Sequence, residues 1–178
     1  MCFAEPIVDL YDENGALTRL THAGEADAPR IAEAVKNNDL AAIADLKISD
    51  DDAQFLEKQT RIALRHCGVI NPESIEEYEN AGGYTAIRRA LFDMTPETVI
   101  EEIKTSGLAG RGGAGFPTWF KWNAARNAEG EEKYLICNAD EGDPGAFMDR
   151  AVIEGDPHGL IEGMLIGAYA HGAKGAIV

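Results

Sequence analysis

Apolar positions recur along this chain with two different periods, broken at Gly, Pro and Asn. Ile7-Val8-Asp9-Leu10-Tyr11 reads as a strand, Asp12-Glu13-Asn14-Gly15 as a hairpin turn centred on Asn-Gly, and Ala16 to Thr21 as the returning strand. Ala28 to Val35 sets Ile31, Ala32 and Val35 at helical spacing behind an Asp27 cap. Asn37 to Asp52 is polar and acidic, a linker with a short helix inside it, and Phe55 to Leu64 has no dominant period. Asn71-Pro72 predicts a helix start, with Asn as N-cap and Pro in the first turn. Gly82-Gly83 punctuates, and Tyr84 to Leu91 resumes a helical period. Thr95-Pro96 is a second cap and Pro pair; Val99, Ile100 and Ile103 share a face before Ser106-Gly107 ends that helix.

The last third reads differently. Tyr134-Leu135-Ile136-Cys137 fits a short buried strand. Leu160, Ile161, Met164, Leu165 and Ala168 mark the buried side of a helix, and Gly175-Ala176-Ile177-Val178 begins another strand. Strand, helix, strand predicts an α/β layer.

Composition narrows the function classes. With 31 acidic residues against 16 Lys and Arg, the formal charge is −15, which argues against a nucleic-acid partner because phosphate binding needs positive potential. No apolar run reaches the roughly 18 residues of a membrane span. Cys2, Cys67 and Cys137 show neither metal-type nor disulfide-type spacing. A reducing cytoplasm is the default expectation, with no signal-type N-terminus.

Two loops carry candidate chemistry. Gly110-Arg111-Gly112-Gly113-Ala114-Gly115-Phe116-Pro117 holds four glycines in its first six residues, and glycine lets backbone N–H groups approach an anion. Its G-x-G-x-x-G spacing follows a helix rather than a strand, so it fails the context of a standard dinucleotide fingerprint. A flexible connection explains the glycines alone equally well. Lys121 adds a cation for a phosphate. Of the neighbouring Phe116, Trp119, Phe120 and Trp122, at least two are expected in the core, while stacking on a planar ring is the alternative. The second loop, Asn138 to Arg150, follows the predicted strand, where α/β proteins bind ligands. Its carboxylates suit ribose hydroxyls, carboxamides or ring N–H groups; a solvated acidic turn and a divalent-metal site are the other readings. His158 is expected to cap or pack, and Asp149-Arg150 to form a structural pair.

Ser106 to Thr118, Lys121-Trp122 and Asn138 to Arg150 together resemble the flavin-bearing subunit of NADH dehydrogenases. That family includes the complex I flavoprotein and the corresponding subunits of NAD(P)-linked iron hydrogenases and formate dehydrogenases. Gln59, Leu64-Arg65, Cys67-Gly68, Pro72 to Ile75 and Gly82-Gly83-Tyr84 resemble its helical lead-in. Asp143-Pro144-Gly145-Ala146-Phe147 is closer to the hydrogenase-type branch, since complex I members usually carry Glu at the Asp143 position. Trp119-Phe120 stand where the family usually has Gly-Leu.

The resemblance implies an α/β fold. Residues 97–178 would be the N-terminal half of an FMN/NAD-binding Rossmann-like domain. A helical lead-in over 48–96 and the C-terminal remnant of a thioredoxin-like [2Fe–2S] domain over 1–47 would precede it. It implies that NADH passes a hydride to FMN, and that electrons leave singly to iron–sulfur clusters on partner subunits of a multisubunit redox complex. Gly110, Arg111, Gly112, Gly113, Gly115 and Lys121 would meet the FMN phosphate and ring region, and Asn138 and Asp140 would bond the flavin. Phe116 would stack near adenine or nicotinamide, and Glu141 and Asp143 would line the NAD pocket; no residue is needed as general acid or base. Cys2 would be the last of four [2Fe–2S] ligands, and alone it holds no cluster. The family's second flavin-binding stretch and its [4Fe–4S] domain would lie beyond Val178. The chain is therefore expected to be part of a longer product, inactive by itself. The alternatives are a non-catalytic interaction or scaffold piece of a redox complex and, more remotely, a metal-dependent hydrolase.

Overall fold

A computed structural model describes residues 4–178; Cys2, expected as a cluster ligand, lies outside the described residues. The chain divides into two compact units between Thr60 and Arg61.

The first unit opens with strands β1 (Val8–Tyr11) and β2 (Leu17–Leu20), paired antiparallel with Val8 opposite Leu20 and Tyr11 opposite Leu17. The Asp12 carboxylate closes the turn by accepting 2.8 Å bonds from the Asn14 and Ala16 amides. Arg19 clamps Asp9 across the pair at 2.7 and 2.6 Å. Helix α1 (Ala28–Lys36) buries Ile31 and Ala34 against Leu20, Ala23 and Ile43, while Val35 is half exposed. The buried face is therefore rotated from the expected one, because i and i+3 of this helix face the hairpin. Asp27 makes no side-chain cap bond to α1; its carboxylate accepts from the Gly24 amide instead. Ile43 enters the core from a kinked 3-10 segment, Leu40–Leu46. Helix α2 (Asp50–Glu57) is capped by the Ser49 hydroxyl, which accepts from the Asp52 amide at 3.1 Å.

In the second unit, α3 (Ile75–Asn80) begins four residues after Asn71, later than expected. Asn71 spends its side-chain oxygen on the Glu73 amide in a local turn, and Ser74 caps the helix. After Gly82-Gly83 come α4 (Thr85–Asp93) and α5 (Pro96–Ser106). The Thr95 hydroxyl caps α5 as its sequence predicts, and Gly107, in a left-handed conformation, ends it.

Then follow α6 (Thr118–Asn127), β3 (Tyr134–Ile136), α7 (Met148–Gly155), α8 (Pro157–His171) and β4 (Gly175–Ile177). Strands β3 and β4 pair in parallel, with Leu135 opposite Ala176. The chain between them runs through α7 and α8, the crossover expected of an α/β layer. The core gathers Ile87 and Ala90 of α4, Val99 and Ile100 of α5 and Ala170 of α8; Trp119 and Trp122 of α6 pack against it.

Two burial expectations change here. Strand β3 is not buried: Leu135 is half-buried while Tyr134 and Ile136 are exposed. On α8 the buried positions are Glu162, Gly167 and Ala170, whereas Ile161 and Leu165 are about half exposed. The helix is apolar nearly all round, so its composition leaves open which side meets α4, α5 and α6. Among the described residues, no helix is long and apolar enough to cross a membrane.

Candidate functional site

The glycine loop joins α5, the helix its sequence context indicates before it, to α6. Its ends are tied together: Ala109 and Pro117 form an isolated antiparallel bridge, the Gly110 amide donates to the Phe116 carbonyl at 2.8 Å, and the Thr118 amide donates to the Leu108 carbonyl at 3.0 Å. Between these ties the loop is exposed, with Gly113 and Gly115 at positive φ. A Cβ built at Gly112 or Gly113 meets nothing within 4 Å, so this chain leaves the loop's outer face open to a ligand. Among the described residues, Arg111 and Lys121 form no ion pair with a carboxylate, in a protein with a formal charge of −15.

Of the four aromatics, Trp119 and Trp122 join the core, as two were expected to. Phe116 and Phe120 remain exposed beside the loop. The Lys121 ammonium lies 5.5 Å from the Phe116 ring centroid, a cation–π placement.

The acidic stretch leaves the end of β3. Asn138 folds its side-chain oxygen onto the Asp140 amide at 2.9 Å. Glu141 turns toward the start of α7 and accepts from the Asp149 and Arg150 amides at 3.0 and 3.1 Å. The Asp149 amide first, then those of Arg150 and Met148, hold the Glu141 carboxyl below its usual value. One of the two carboxylates expected to line the nucleotide pocket thus also satisfies two free N–H groups at a helix end. Asp143 sits in a turn closed by the Ala146 amide on its carbonyl at 3.0 Å, and among the described residues its carboxylate has no hydrogen-bond or ion-pair partner. The expected Asp149-Arg150 pair does not form: Arg150 reaches Glu154 one helical turn on, at 3.0 Å.

No hydrogen bond or ion pair joins the two loops among the described residues. Nearby lies a shallow groove of 290 Å³ whose lining includes Trp122, Leu135, Cys137, Gly163, Met164 and Gly167. Trp122 belongs to the helix that follows the glycine loop, and Cys137 directly precedes Asn138. The groove thus lies against α6, β3 and α8, and none of its lining residues belongs to either loop.

A polar cluster absent from the sequence expectations supports α8. Glu162, 8% exposed, accepts from the Tyr78 hydroxyl at 2.6 Å, the Tyr84 amide at 2.9 Å and the Ile87 amide at 3.0 Å. Burial acts to raise its carboxyl, and the bonds from Tyr78, Ile87 and Tyr84 outweigh it, leaving the carboxyl below its usual value. Burial and Glu162 push the Tyr78 phenol above its usual range. His158 bonds the Tyr84 hydroxyl at 2.8 Å and stacks on Tyr78, which fulfils its expected packing role. His66 meets Asp156 at 2.8 Å. The available signal was Glu162 itself, a single charge inside the run Leu160 to Ile166. Among the described residues no three His, Cys, Asp or Glu side chains converge as a metal site.

Comparison with known proteins agrees with the resemblance read from the sequence. Residues 103–178, from within α5 to the end of the chain, match the model of the Nuo51 FMN-binding domain. Over 117 residues, 66% of this chain, it is 56% identical to the NADP-reducing hydrogenase subunit HndC of Solidesulfovibrio fructosivorans. It is 51% identical, also over 117 residues, to an NADH-quinone oxidoreductase subunit of Rhizobium meliloti. The match spans 24% and 28% of the length of those relatives. A crystal structure of an NAD+-reducing [NiFe]-hydrogenase overlaps 90% of this chain and 26% of its own, with 28% identity and a TM-score of 0.49.

Proposed function

We propose, taking the match of residues 103–178 to the Nuo51 FMN-binding domain as premise, that this chain forms part of an NAD(P)H-oxidising flavoprotein subunit. In this reading it supplies one half of an FMN and nucleotide site. One observation carries it: an exposed glycine loop, open to a ligand and flanked by Arg111 and Lys121 without acid partners, in a strongly acidic chain. A loop of that kind fits a phosphate, because backbone N–H groups can approach it with no Cβ in the way and two cationic residues lie in and beside the loop.

The residues divide the work. The backbone at Gly112, Gly113 and Gly115, with Arg111 and Lys121, holds the FMN phosphate, and Gly110, whose amide bonds the Phe116 carbonyl, closes the loop around it. Asn138 and Asp140, at the end of β3, orient the flavin through polar groups. Phe116 offers a face for stacking, and Glu141 and Asp143 line the nucleotide side. FMN, when bound, supplies hydride acceptance from NADH and release of single electrons. The chain's task is orientation and exclusion of water, so it needs no acid or base of its own. Electrons then pass to iron–sulfur partners in a multisubunit complex. We read residues 97–178 as the first half of a Rossmann-like domain, 48–96 as its lead-in and 1–47 as the end of a thioredoxin-like domain.

Titration of the purified full-length subunit with FMN tests this. Binding with a shifted flavin spectrum, followed by bleaching on addition of NADH, is the expected result. A protein that neither takes up FMN nor reacts with NADH in its presence overturns the proposal.

A further inference from the structure

Phe116 and Phe120 leave large rings open to water, 43% and 52% exposed. They are nonetheless held. Their centroids are 5.6 Å apart at an interplanar angle of 78°, the edge-to-face arrangement that aromatic pairs prefer. Phe120 makes a second such contact with Trp119, at 5.6 Å and 75°. Trp119 packs on the buried core of α4, α5 and α8, and the Lys104 ammonium sits 5.2 Å from its ring. From the loop side, the Phe116 carbonyl accepts from Gly110, and Lys121 lies over the Phe116 ring. A line of rings thus runs from the core through Trp119 and Phe120 to Phe116.

A ring at the end of a glycine loop would ordinarily sample several rotamers, and binding would have to freeze it. A ring already held avoids that entropy loss, which is how preorganisation raises affinity. Exposed aromatic surface beside a loop proposed to hold a phosphate suits a ligand face. We propose that Phe120 is a positioning residue. It holds the Phe116 ring as a preset platform for a flat heteroaromatic ring of the nicotinamide dinucleotide. The inference rests on the function proposed above. Phe120 does not touch the nucleotide in this arrangement; it acts through Phe116.

The whole purified protein, loaded with FMN, provides the test. Phe120→Leu keeps apolar bulk and removes the ring, while Phe120→Tyr keeps the ring. Calorimetric titration with NAD+, which does not reduce the oxidised flavin, reads nucleotide binding directly. FMN content, melting temperature and steady-state kinetics with NADH are measured alongside. We expect Phe120→Leu to weaken NAD+ binding and raise KM for NADH by about three- to tenfold, the range of one aromatic pair contact. Its kcat, FMN content and melting temperature stay near wild type, and Phe120→Tyr restores affinity. Three results overturn the inference alone: unchanged NAD+ affinity in Phe120→Leu, failure of Phe120→Tyr to restore it, or a parallel loss of FMN and melting temperature. The last would make Phe120 only a staple at the entry of α6. A wild-type protein that binds neither FMN nor NAD+ overturns the proposed function itself, and this inference with it.

Discussion

The Tyr78 hydroxyl donates a 2.6 Å hydrogen bond to the carboxylate of Glu162, 84 residues further along the chain. The same carboxylate receives the Tyr84 and Ile87 amides at the start of α4, so one side chain of α8 fastens both α3 and α4. The approach is close: a Cβ at Gly83 would lie 2.1 Å from the Tyr78 ring, which leaves room there only for glycine.

Removing that carboxylate strands buried donors. Glu162→Ala is expected to destabilise the second unit by about 3 kcal/mol, and Tyr78→Phe, which deletes one bond, by about 1.5 kcal/mol. Chemical denaturation of the two variants measures this. Equal and negligible losses would show that the cluster does not anchor α8.

Acid should loosen the same contact. The folded Glu162 carboxyl lies below its usual value, so its contribution is complete above the unfolded value, about 4.3, and is lost as pH falls through the lowered folded value. Melting temperature followed below pH 5 should therefore drop more steeply in wild type than in Glu162→Gln. Parallel curves would refute the assignment.

His171 adds a second pH dependence. Its Nε2 is buried without a hydrogen-bond partner among the described residues, and its ring meets Trp122 edge-on at 5.0 Å. Burial, then the charge of Lys133, hold the imidazole below its usual value. The unfolded chain therefore binds the proton more readily, and stability declines as pH falls below the unfolded value of about 6.5. His171→Phe keeps the ring and removes the titration. It should flatten stability between pH 7 and pH 5, and an unchanged slope there would exclude His171 as its source.

The loop glycines separate strain from ligand approach. Gly113 has φ +99° and Gly112 has no positive φ, yet a Cβ on either meets nothing within 4 Å of this chain. Gly113→Ala should cost about 1–2 kcal/mol through backbone conformation alone. Gly112→Ala should fold normally and weaken FMN binding about tenfold, because its methyl projects where the phosphate approaches. Wild-type flavin affinity in Gly112→Ala would place the phosphate elsewhere.

Asp143 has no partner for its carboxylate among the described residues, so under the proposed function its charge would repel the 2′-phosphate of NADPH. On the proposed function, Asp143→Asn should shift the ratio of rates with NADH and NADPH toward NADPH by about three- to tenfold. Initial rates with both nucleotides decide this, and an unaltered ratio would remove Asp143 from the specificity determinants.

Local chemistry determined much of this protein. The Asp12 to Gly15 hairpin, the Thr95 cap with its Pro, the Gly107 stop and the helical approach to the glycine loop all follow from interactions within a few residues. The two loop motifs, being contiguous, were legible for the same reason, and together they resemble the flavin-bearing subunit of NADH dehydrogenases. Tertiary structure alone decided which side of α8 is buried, that Glu162 is the residue holding it, and that Tyr134 and Ile136 of β3 are exposed. Those outcomes depend on which partners arrive from distant segments. An apolar helix can bury any of its faces, and a carboxylate can serve water, a helix end or a ligand, until packing brings one of them within reach.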